Sequence, residues 1–445
     1  MNHPTPRLAL LERLTNGPDL IGIVHWGLNT FTGREWGYGD EDPAMLAPKA
    51  FDADQIVSAC KAGGIGGLVI VAKHHDGFCL WPTKTTAHNI SKSPFRNGKG
   101  DYVREMAEAC RRAGLKFGVY CSPWDRNNGG YATPAYVETY HAQLRELLGG
   151  AYGEVFEMWF DGANGGDGFY GGACETRRIG AASDYYRFDE IFTMVRRLQP
   201  KATIFAGECD DSDFRWPGNE MGVLDSDSRA TIETVGGFAD GQYGNPHYKE
   251  QINVGSPAGE FFRVCESDFP LRKGWFWRES ERGTTKSGAY LAQRWRSSVG
   301  NSGIMNIGIA PNSDGQLSAE DVSALARFGE IREALVAGPA ASGSANIVEM
   351  REDISQGERV AGWHLFSGER EIAQGRSVGL RRIRTFTDGE IADASALRVV
   401  AEGAHGDPAP DIALRAFRAD PALLHLVLAS KATSGETDTA QWMQQ

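Results

Sequence analysis

The sequence has few cysteines, and they form no recognisable framework. Only 7 of its 445 residues are cysteine, at positions Cys60, Cys79, Cys110, Cys121, Cys174, Cys209 and Cys265, with no CxxC pair. Disulfide scaffolds and structural zinc sites have short, repeated cysteine spacings. We therefore expect buried free thiols and no structural zinc.

Long apolar runs are missing as well. The first twenty residues, Met1–Leu20, mix Pro, Arg and Glu, and no later run is long enough to span a bilayer. We therefore expect no secretory signal in this sequence and no membrane partner. A cytoplasmic location is the default expectation, with a periplasmic or secreted protein if a leader has been removed.

Basic residues are outnumbered, with 46 Lys and Arg against 58 Asp and Glu and a net charge of −12. This balance argues against nucleic acid as a partner. No GxGxxG or GxxxxGK[ST] motif directly follows a predicted strand, which argues against nucleotide binding. No HxH pair ends a predicted strand, which disfavours a metal-dependent hydrolase. The oligomeric state is not indicated.

Strand-like and helix-like segments alternate through the first three quarters of the chain. The predicted strands include Leu20–Val24, Gly67–Ala72, Leu115–Tyr120, Val155–Phe160, Ala202–Ala206 and Gly303–Ile309. Amphipathic segments between them, such as Asp101–Gly114, Thr133–Leu148 and Asp184–Leu198, have helix start and stop signals. About eight such units predict a closed (β/α)8 TIM barrel, and a doubly wound open sheet is the alternative.

The character of the chain changes after Gly338. Short strand-like runs separated by Gly, Asp and Pro follow, at Val360–Phe366, Leu380–Thr387, Ala396–Ala401 and Leu423–Leu428. This pattern is typical of a β-sandwich. We therefore predict a catalytic barrel domain over residues 1–338 and a small C-terminal β-sandwich domain over residues 339–445.

One predicted strand delivers a carboxylate at its end. The run Val155–Phe160 stops at Asp161, and Gly162 opens a turn. In parallel α/β folds the C-terminal strand ends carry the chemistry. The alternative is that Asp161 only orders the turn.

Other strand ends and the loops after them offer aromatic rings, imidazoles and carboxylates. The set comprises His25, Trp26, Glu35, Trp36, His74, His75, Tyr120, Trp159, Arg215, Trp216, Glu220, Trp275 and Trp277. Rings stack on the C–H faces of a sugar and polar groups bind its hydroxyls, whereas a phosphate would need more cations. Adjacent strand residues point to opposite faces, so His74 and His75 are not expected to chelate one metal. Core packing for the tryptophans, and an ion pair of Glu35 with Arg34 or another surface arginine, are the alternatives.

Five of these segments together resemble one enzyme family. They are His25–Gly37, with His-Trp-Gly and Glu-Trp-Gly, then Lys73–Phe78, Trp159–Gly162, Arg215–Glu220 and Gly274–Trp277. In this order they resemble glycoside hydrolase family 29, the retaining α-L-fucosidases. The last two segments resemble its branch acting on α-1,3/1,4-linked fucose in branched glycans.

The resemblance implies a TIM-barrel hydrolase with a C-terminal β-sandwich, a fucosylated oligosaccharide substrate and double displacement without metal or cofactor. Asp161 matches the family's nucleophile and Glu220 the acid/base of this branch. His25, Glu35, Trp36, His74, His75, Tyr120, Trp159 and Trp275 match positions that hold the fucose. Glu208 is a rival acid and Glu266 a more distant one. A carbohydrate-binding barrel protein that is non-catalytic or has another specificity is the alternative function.

Overall fold

A computed structural model of the chain describes residues 3–163, 179–206, 211–233, 246–339, 342–404 and 410–431. Ten strands lie in the first of its two parts. They are β1 (Leu20–Val24), β2 (Gly67–Lys73), β3 (Lys116–Cys121), β4 (Glu157–Phe160), β5 (Thr203–Ala206), β6 (Phe214–Arg215), β7 (Thr231–Ile232), β8 (Phe261–Phe262), β9 (Val264–Pro270) and β10 (Ile304–Ile309).

Eight of these strands close into a parallel barrel in the order β1-β10-β9-β6-β5-β4-β3-β2. The closing pair is β1 with β10, in the register Leu20↔Met305 to Val24↔Ile309. The remaining pair, β7 with β8, is antiparallel and lies outside the barrel. The closed order confirms the TIM barrel and excludes the open sheet.

Helices connect most of the strands, and the N-terminal helix packs its Leu10, Leu11 and Leu14 against the cluster that fills the barrel. In chain order the helices are α1 (Leu8–Asn16), α2 (Leu28–Thr32), α3 (Ala53–Ala62), α4 (Tyr102–Ala113), α5 (Pro134–Leu148), α6 (Ala182–Tyr186), α7 (Phe188–Leu198), α8 (Pro246–Asn253), α9 (Gly288–Ser298) and α10 (Ala319–Leu335). Within the described ranges, no helix is long and apolar enough to cross a membrane.

Local signals place the helix ends with mixed success. Asp101 caps α4 at the start of the predicted segment, and Ser318 caps α10; each accepts a backbone N–H from the first turn of its helix. Thr133 occupies the N-cap position of α5, but its hydroxyl donates to the carbonyl of Gly130 and does not accept a helix N–H. The predicted helix Asp184–Leu198 is broken at Arg187, whose φ of 57° lies in the left-handed region.

The core has two layers, as the fold requires. Outward-facing side chains such as Leu68 and Ile70 pack against α3 and α4. Inward-facing side chains such as Val69, Tyr120 and Trp159 fill the barrel. The Trp159 ring lies parallel to Phe205 with centroids 4.0 Å apart, and Tyr120 stacks on its other side at 5.3 Å. The barrel is therefore solid below its C-terminal rim.

Two antiparallel three-stranded sheets form the C-terminal β-sandwich. Their strands are β11 (Ile347–Glu352), β12 (Val360–Ser367), β13 (Arg370–Gly375), β14 (Arg382–Thr385), β15 (Leu397–Gly403) and β16 (Ile412–Phe417), ordered β14-β11-β16 and β13-β12-β15. They enclose an apolar core around Trp363. The sandwich fold is confirmed.

The predicted strand Leu423–Leu428 is wrong, since these residues lie in helix α11 (Pro421–Ala429). The side chain of Asp420 accepts the N–H groups of Ala422 and Leu423, and Pro421 occupies the first helical position. An acidic cap followed by proline favours a helix start, and this local signal outweighs the apolar run.

The sandwich is bonded directly to the barrel. The guanidinium of Arg382, on β14, is buried and donates to the carbonyls of Ser226 and Ser228.

Five of the seven cysteines are described, and all five are buried and form no disulfide, whereas Cys174 and Cys209 lie outside the described residues.

Candidate active site

Asp161 follows β4 directly, at the C-terminal rim of the barrel. Its Oδ1 accepts the backbone N–H of Ala163 at 2.7 Å, so the carboxylate does order the turn. Its Oδ2 accepts the hydroxyl of Tyr120 at 3.0 Å and lies 3.8 Å from Nε2 of His75. The Asp161 side chain is 27% exposed, which leaves it open to a ligand.

Tyr120 is held as a hydrogen-bond donor to this carboxylate. Burial raises the pKa of the Tyr120 hydroxyl well above its usual value, and the charge of Asp161 raises it further. The tyrosine therefore keeps its proton at neutral pH and remains a donor to Asp161.

The hydrogen bonds of His75 define its tautomer. The Ser122 hydroxyl donates its single proton to the carbonyl of Trp124, at 2.9 Å. Its oxygen lies 2.7 Å from Nδ1 of His75. It must therefore accept a proton from Nδ1, which leaves Nε2 as an acceptor beside Asp161. Burial lowers the pKa of His75 to about 4, against the attraction of Asp161, so the ring is neutral.

His74 has the opposite arrangement. Its Nδ1 lies 3.4 Å from the side-chain nitrogen of Asn29, which also donates to the carbonyl of Glu35. A donating amide makes Nδ1 the acceptor, so Nε2 of His74 carries the proton. Burial lowers the pKa of His74 well below its usual value, and its two neighbouring histidines act in the same direction. The pair thus provides one donor and one acceptor for sugar hydroxyls.

The expectation that the two rings point to opposite faces is wrong. Their centroids lie 4.1 Å apart, because β2 ends at Lys73 and the histidines stand in the turn after it. Strand alternation does not apply there. Within the described part of the chain, no group of three His, Cys, Asp or Glu side chains could hold a metal ion.

His25 lies at the centre of a cluster of rings that also contains His74, Tyr120 and Trp275 and forms the ring wall of the site. Its centroid is 5.7 Å from His74, 6.1 Å from Tyr120 and 5.1 Å from Trp275. Burial lowers its pKa to about 3, so it is a third neutral imidazole. The wall therefore consists of rings that attract neither a phosphate nor another anion.

Trp275 extends this wall to two carboxylates. Its backbone N–H donates to Oε1 of Glu35 at 2.6 Å, and its indole Nε1–H donates to Oε2 of Glu220 at 3.1 Å. The second oxygen of Glu35, Oε2, accepts a hydrogen bond from the guanidinium of Arg278 and forms an ion pair with it. The alternative ion pair of Glu35 is thus present, with Arg278 rather than Arg34, which pairs with Glu41.

Glu220 has the electrostatics of a proton donor. Burial raises its pKa to about 7; the Trp275 hydrogen bond opposes this shift, and the charges of Asp161 and Glu35 add to it. Burial also raises the pKa of Glu35 to about 7, although Arg278 opposes it.

The other predicted site residues lie farther out or deeper in. Trp36 is half-buried and packs edge-on against His75 with centroids 5.6 Å apart. Trp159 lies beside Tyr120, its partner in register on the neighbouring strand, and donates its indole N–H to Glu266 at 2.9 Å. Trp159 therefore packs against the Tyr120 ring from the side.

Several side chains from the sequence-based set do not line the ring wall. Arg215 is buried and donates to the carbonyls of Ile252, Arg263 and Arg229. Trp277 packs on the guanidinium of Arg272, 4.2 Å from the ring centroid, and Trp26 is a core residue. These three are structural.

The rival acids have different outcomes. Glu266 points into the barrel and bonds Trp159 and Asn306, so its carboxyl is committed to the interior. Glu208 lies outside the described residues.

Sequence reasoning missed several residues that shape the site. Ser122, Asn29 and Phe276 contact the histidines. Asp268, near the C-terminal end of β9, is buried and accepts the indole N–H of Trp216 at 3.0 Å. Asp268 could have been found by the signal that marked Asp161, a carboxylate near a strand end; the others lack a chemical signature in the sequence.

A closed parallel barrel whose rim joins carboxylates, neutral imidazoles and indole rings is the arrangement of a glycoside hydrolase. The profile of the α-L-fucosidase family matches residues 19–333. The chain therefore belongs to the α-L-fucosidases, glycoside hydrolase family 29.

Individual relatives agree with this assignment. The chain is 38% identical over 337 residues to a putative α-L-fucosidase 1 of Oryza sativa, covering 75% of this chain and 59% of that protein. It thus spans less than two thirds of the rice protein. It is 32% identical to α-L-fucosidase 1 of Arabidopsis thaliana, covering 87% of this chain and 82% of the relative.

Solved structures have the same fold. A glycoside hydrolase 29 family member from an unknown rumen bacterium superposes with a TM-score of 0.84 at 33% identity, covering 94% of this chain and 78% of that one. A putative α-L-fucosidase from Bacteroides ovatus gives 0.79 at 34% identity, covering 94% and 74%.

Proposed function

We propose that this protein is a retaining exo-α-L-fucosidase that removes terminal fucose, α-1,3/1,4-linked on branched glycans, by double displacement. The observation that supports this proposal is an unbroken series of contacts that runs from Asp161 through Tyr120, His25 and Trp275 to Glu220. Its two ends are carboxylates in different environments, as a nucleophile and an acid require.

Asp161 is the nucleophile in this proposal. It stands directly after a rigid strand, and its Oδ2 accepts a hydrogen bond from the Tyr120 hydroxyl. One carboxylate oxygen attacks the anomeric carbon while the bond from that carbon to the leaving oxygen breaks. A fucosyl ester of Asp161 results.

Glu220 is the acid and then the base. Its raised pKa keeps the proton on the carboxyl until the leaving oxygen takes it. In the second half, Glu220 removes a proton from water as the water oxygen attacks the anomeric carbon. The ester bond breaks, and both carboxyls return to their first state.

The neutral rings suit the substrate. Acceptor His75 and donor His74 lie beside the nucleophile, where the hydroxyls of the sugar would be bound. Three uncharged imidazoles bind hydroxyls without attracting anions. The α-1,3/1,4 linkage is supported by the motifs Arg215–Glu220 and Gly274–Trp277, which the Trp275–Glu220 hydrogen bond ties together.

The nucleophile is tested with Asp161→Gly. We expect loss of aryl α-L-fucoside hydrolysis, with azide restoring turnover and yielding the β-fucosyl azide, because a small anion replaces the carboxylate. Wild-type product followed by NMR should first appear as the α-anomer. An inverted first product, or an active Asp161→Gly variant without azide, would overturn the retaining mechanism.

The acid is tested with Glu220→Ala on two substrates. A trisaccharide with α-1,3/1,4-linked fucose should lose about 10²–10⁴-fold in kcat/KM, because its leaving oxygen needs a proton. A dinitrophenyl fucoside should lose far less. If the variant keeps the trisaccharide activity, Glu208 is the next acid to test. Fucose binding by a wild type that cleaves neither substrate would instead indicate a binding protein.

A further inference from the structure

Trp275 commits both of its N–H groups to carboxylates. The backbone N–H bonds Glu35 at 2.6 Å and the indole N–H bonds Glu220 at 3.1 Å. Side chains that stack on a ligand do not need either bond. The two hydrogen bonds therefore indicate that Trp275 has a role in addition to packing.

The backbone around Trp275 is itself anchored. Glu35 pairs with Arg278, and Arg278 also donates to Glu281 and to the carbonyl of Gly33. Glu281 accepts the backbone N–H of Gly274 at 3.1 Å. The indole is therefore presented from a loop that is bonded on both sides, whereas Glu220 stands on a loop whose Gly218 has a φ of 83°.

The ring itself is also restrained. It lies against His25, with centroids 5.1 Å apart, and covers Gly308, where an added Cβ would come within 2.6 Å of the indole. The N–H direction is therefore set before any ligand binds, which is the condition for a preorganised hydrogen bond.

We propose that Trp275 is a positioning residue for the acid/base Glu220, whose carboxyl it holds through the indole N–H. The inference rests on the proposed function of Glu220. It goes beyond a stacking role, because it assigns the N–H rather than the ring face.

The groups that face Glu220 come from three elements and the loops that follow them. Asp161 follows β4, Glu35 lies after α2, Asp268 lies on β9, and Trp275 follows β9. The charges of Asp161 and Glu35 stabilise the protonated form of Glu220, and among the described residues the indole donor of Trp275 stabilises its ionised form. Removing the donor therefore moves the pKa of Glu220 upward.

The test is Trp275→Phe, which keeps a ring and removes the donor. The matched control is Trp277→Phe, the same change two residues later on a buried ring packed against Arg272. Both variants and wild type are assayed from pH 4 to 9 on a dinitrophenyl α-L-fucoside and on an unactivated fucoside.

We expect Trp275→Phe to lose about tenfold or more in kcat/KM on the unactivated fucoside, as for one hydrogen bond to a charged group. The loss on the dinitrophenyl fucoside should be smaller, and the alkaline limb should move to higher pH. Trp277→Phe should leave the substrate ratio and the limb unchanged.

Equal losses on both substrates, carried by KM with an unmoved alkaline limb, would show that Trp275 only stacks and would overturn the inference. If Trp275→Phe does not fold, benzothienylalanine at position 275 keeps the shape and removes only the N–H, with the same expectations. A wild type inactive on both fucosides would overturn the proposed function itself, which distinguishes the two failures.

Discussion

The hydroxyl of Ser122 controls which nitrogen of His75 carries the proton, and removing it should impair the enzyme. The hydroxyl accepts Nδ1–H of His75 at 2.7 Å, inside a region where Ser122 is fully buried. Ser122→Ala leaves either a buried N–H without a partner or a ring with the other tautomer.

The magnitude follows from the buried donor. An unsatisfied buried polar group costs about 1–3 kcal/mol. If His75 keeps its tautomer, this cost lowers the free energy of unfolding. If the ring changes tautomer, Nε2–H faces Asp161 at 3.8 Å and no longer accepts a sugar hydroxyl. The loss of this hydrogen bond to the substrate, also about 1–3 kcal/mol, then lowers kcat/KM by about 5- to 150-fold.

Two measurements separate these outcomes. Urea unfolding gives the stability, and kcat/KM on an aryl α-L-fucoside gives the catalytic loss, with ¹⁵N NMR of His75 reporting the tautomer. Ser122→Thr keeps the hydroxyl and should retain the wild-type tautomer. If Ser122→Ala matches wild type in both stability and kcat/KM, the reasoning from the hydrogen bond is refuted.

Three further outcomes are expected. First, kcat/KM on unactivated fucosides should fall as the pH rises through about 7, because Glu220 loses its proton there; an alkaline limb that persists in Glu220→Gln would contradict this. Second, Gly218→Ala should cost about 1–2 kcal/mol of stability and reduce turnover of poor leaving groups, since φ is 83° and the new Cβ would meet Ile252 at 2.8 Å; a crystal structure and the leaving-group dependence check it. Third, Lys73→Met should cost about 3–5 kcal/mol in urea unfolding, because it leaves Asp125 buried without its cation, now 3.3 Å away; Lys61→Met, on an exposed helix end, is the control and should change little.

Much of the barrel could be predicted because its units are local. The strand Leu20–Val24 and helix α4 follow from apolar periodicity and caps that lie within a dozen residues. Strand β6 could not be predicted, since two residues carry no period and Phe214 and Arg215 pair only through β5 and β9. Helix α11 was missed although Asp420 and Pro421 signalled its start.

The residues of the site likewise divide into those that the sequence reveals and those whose roles it does not show. Asp161 and the histidines stand at strand ends, which the sequence reveals, and the family resemblance supplies Glu220. The buried role of Arg215 is invisible in the sequence, because its three acceptors are carbonyls of residues 14 to 48 positions away. A cationic side chain in a matched motif is as compatible with a ligand contact as with a backbone anchor.

The succession of strands and helices and the chemical types at the barrel rim can be read from the chain, because both depend on near neighbours in sequence. The effect of those groups on each other depends on how the chain packs. The neutral state of the histidines arises from burial, the tautomer of His75 from a hydroxyl 47 residues away, and the setting of Glu220 from an indole 55 residues away. Burial and hydrogen-bond direction are properties of packed surroundings, and those exist only after the barrel has closed.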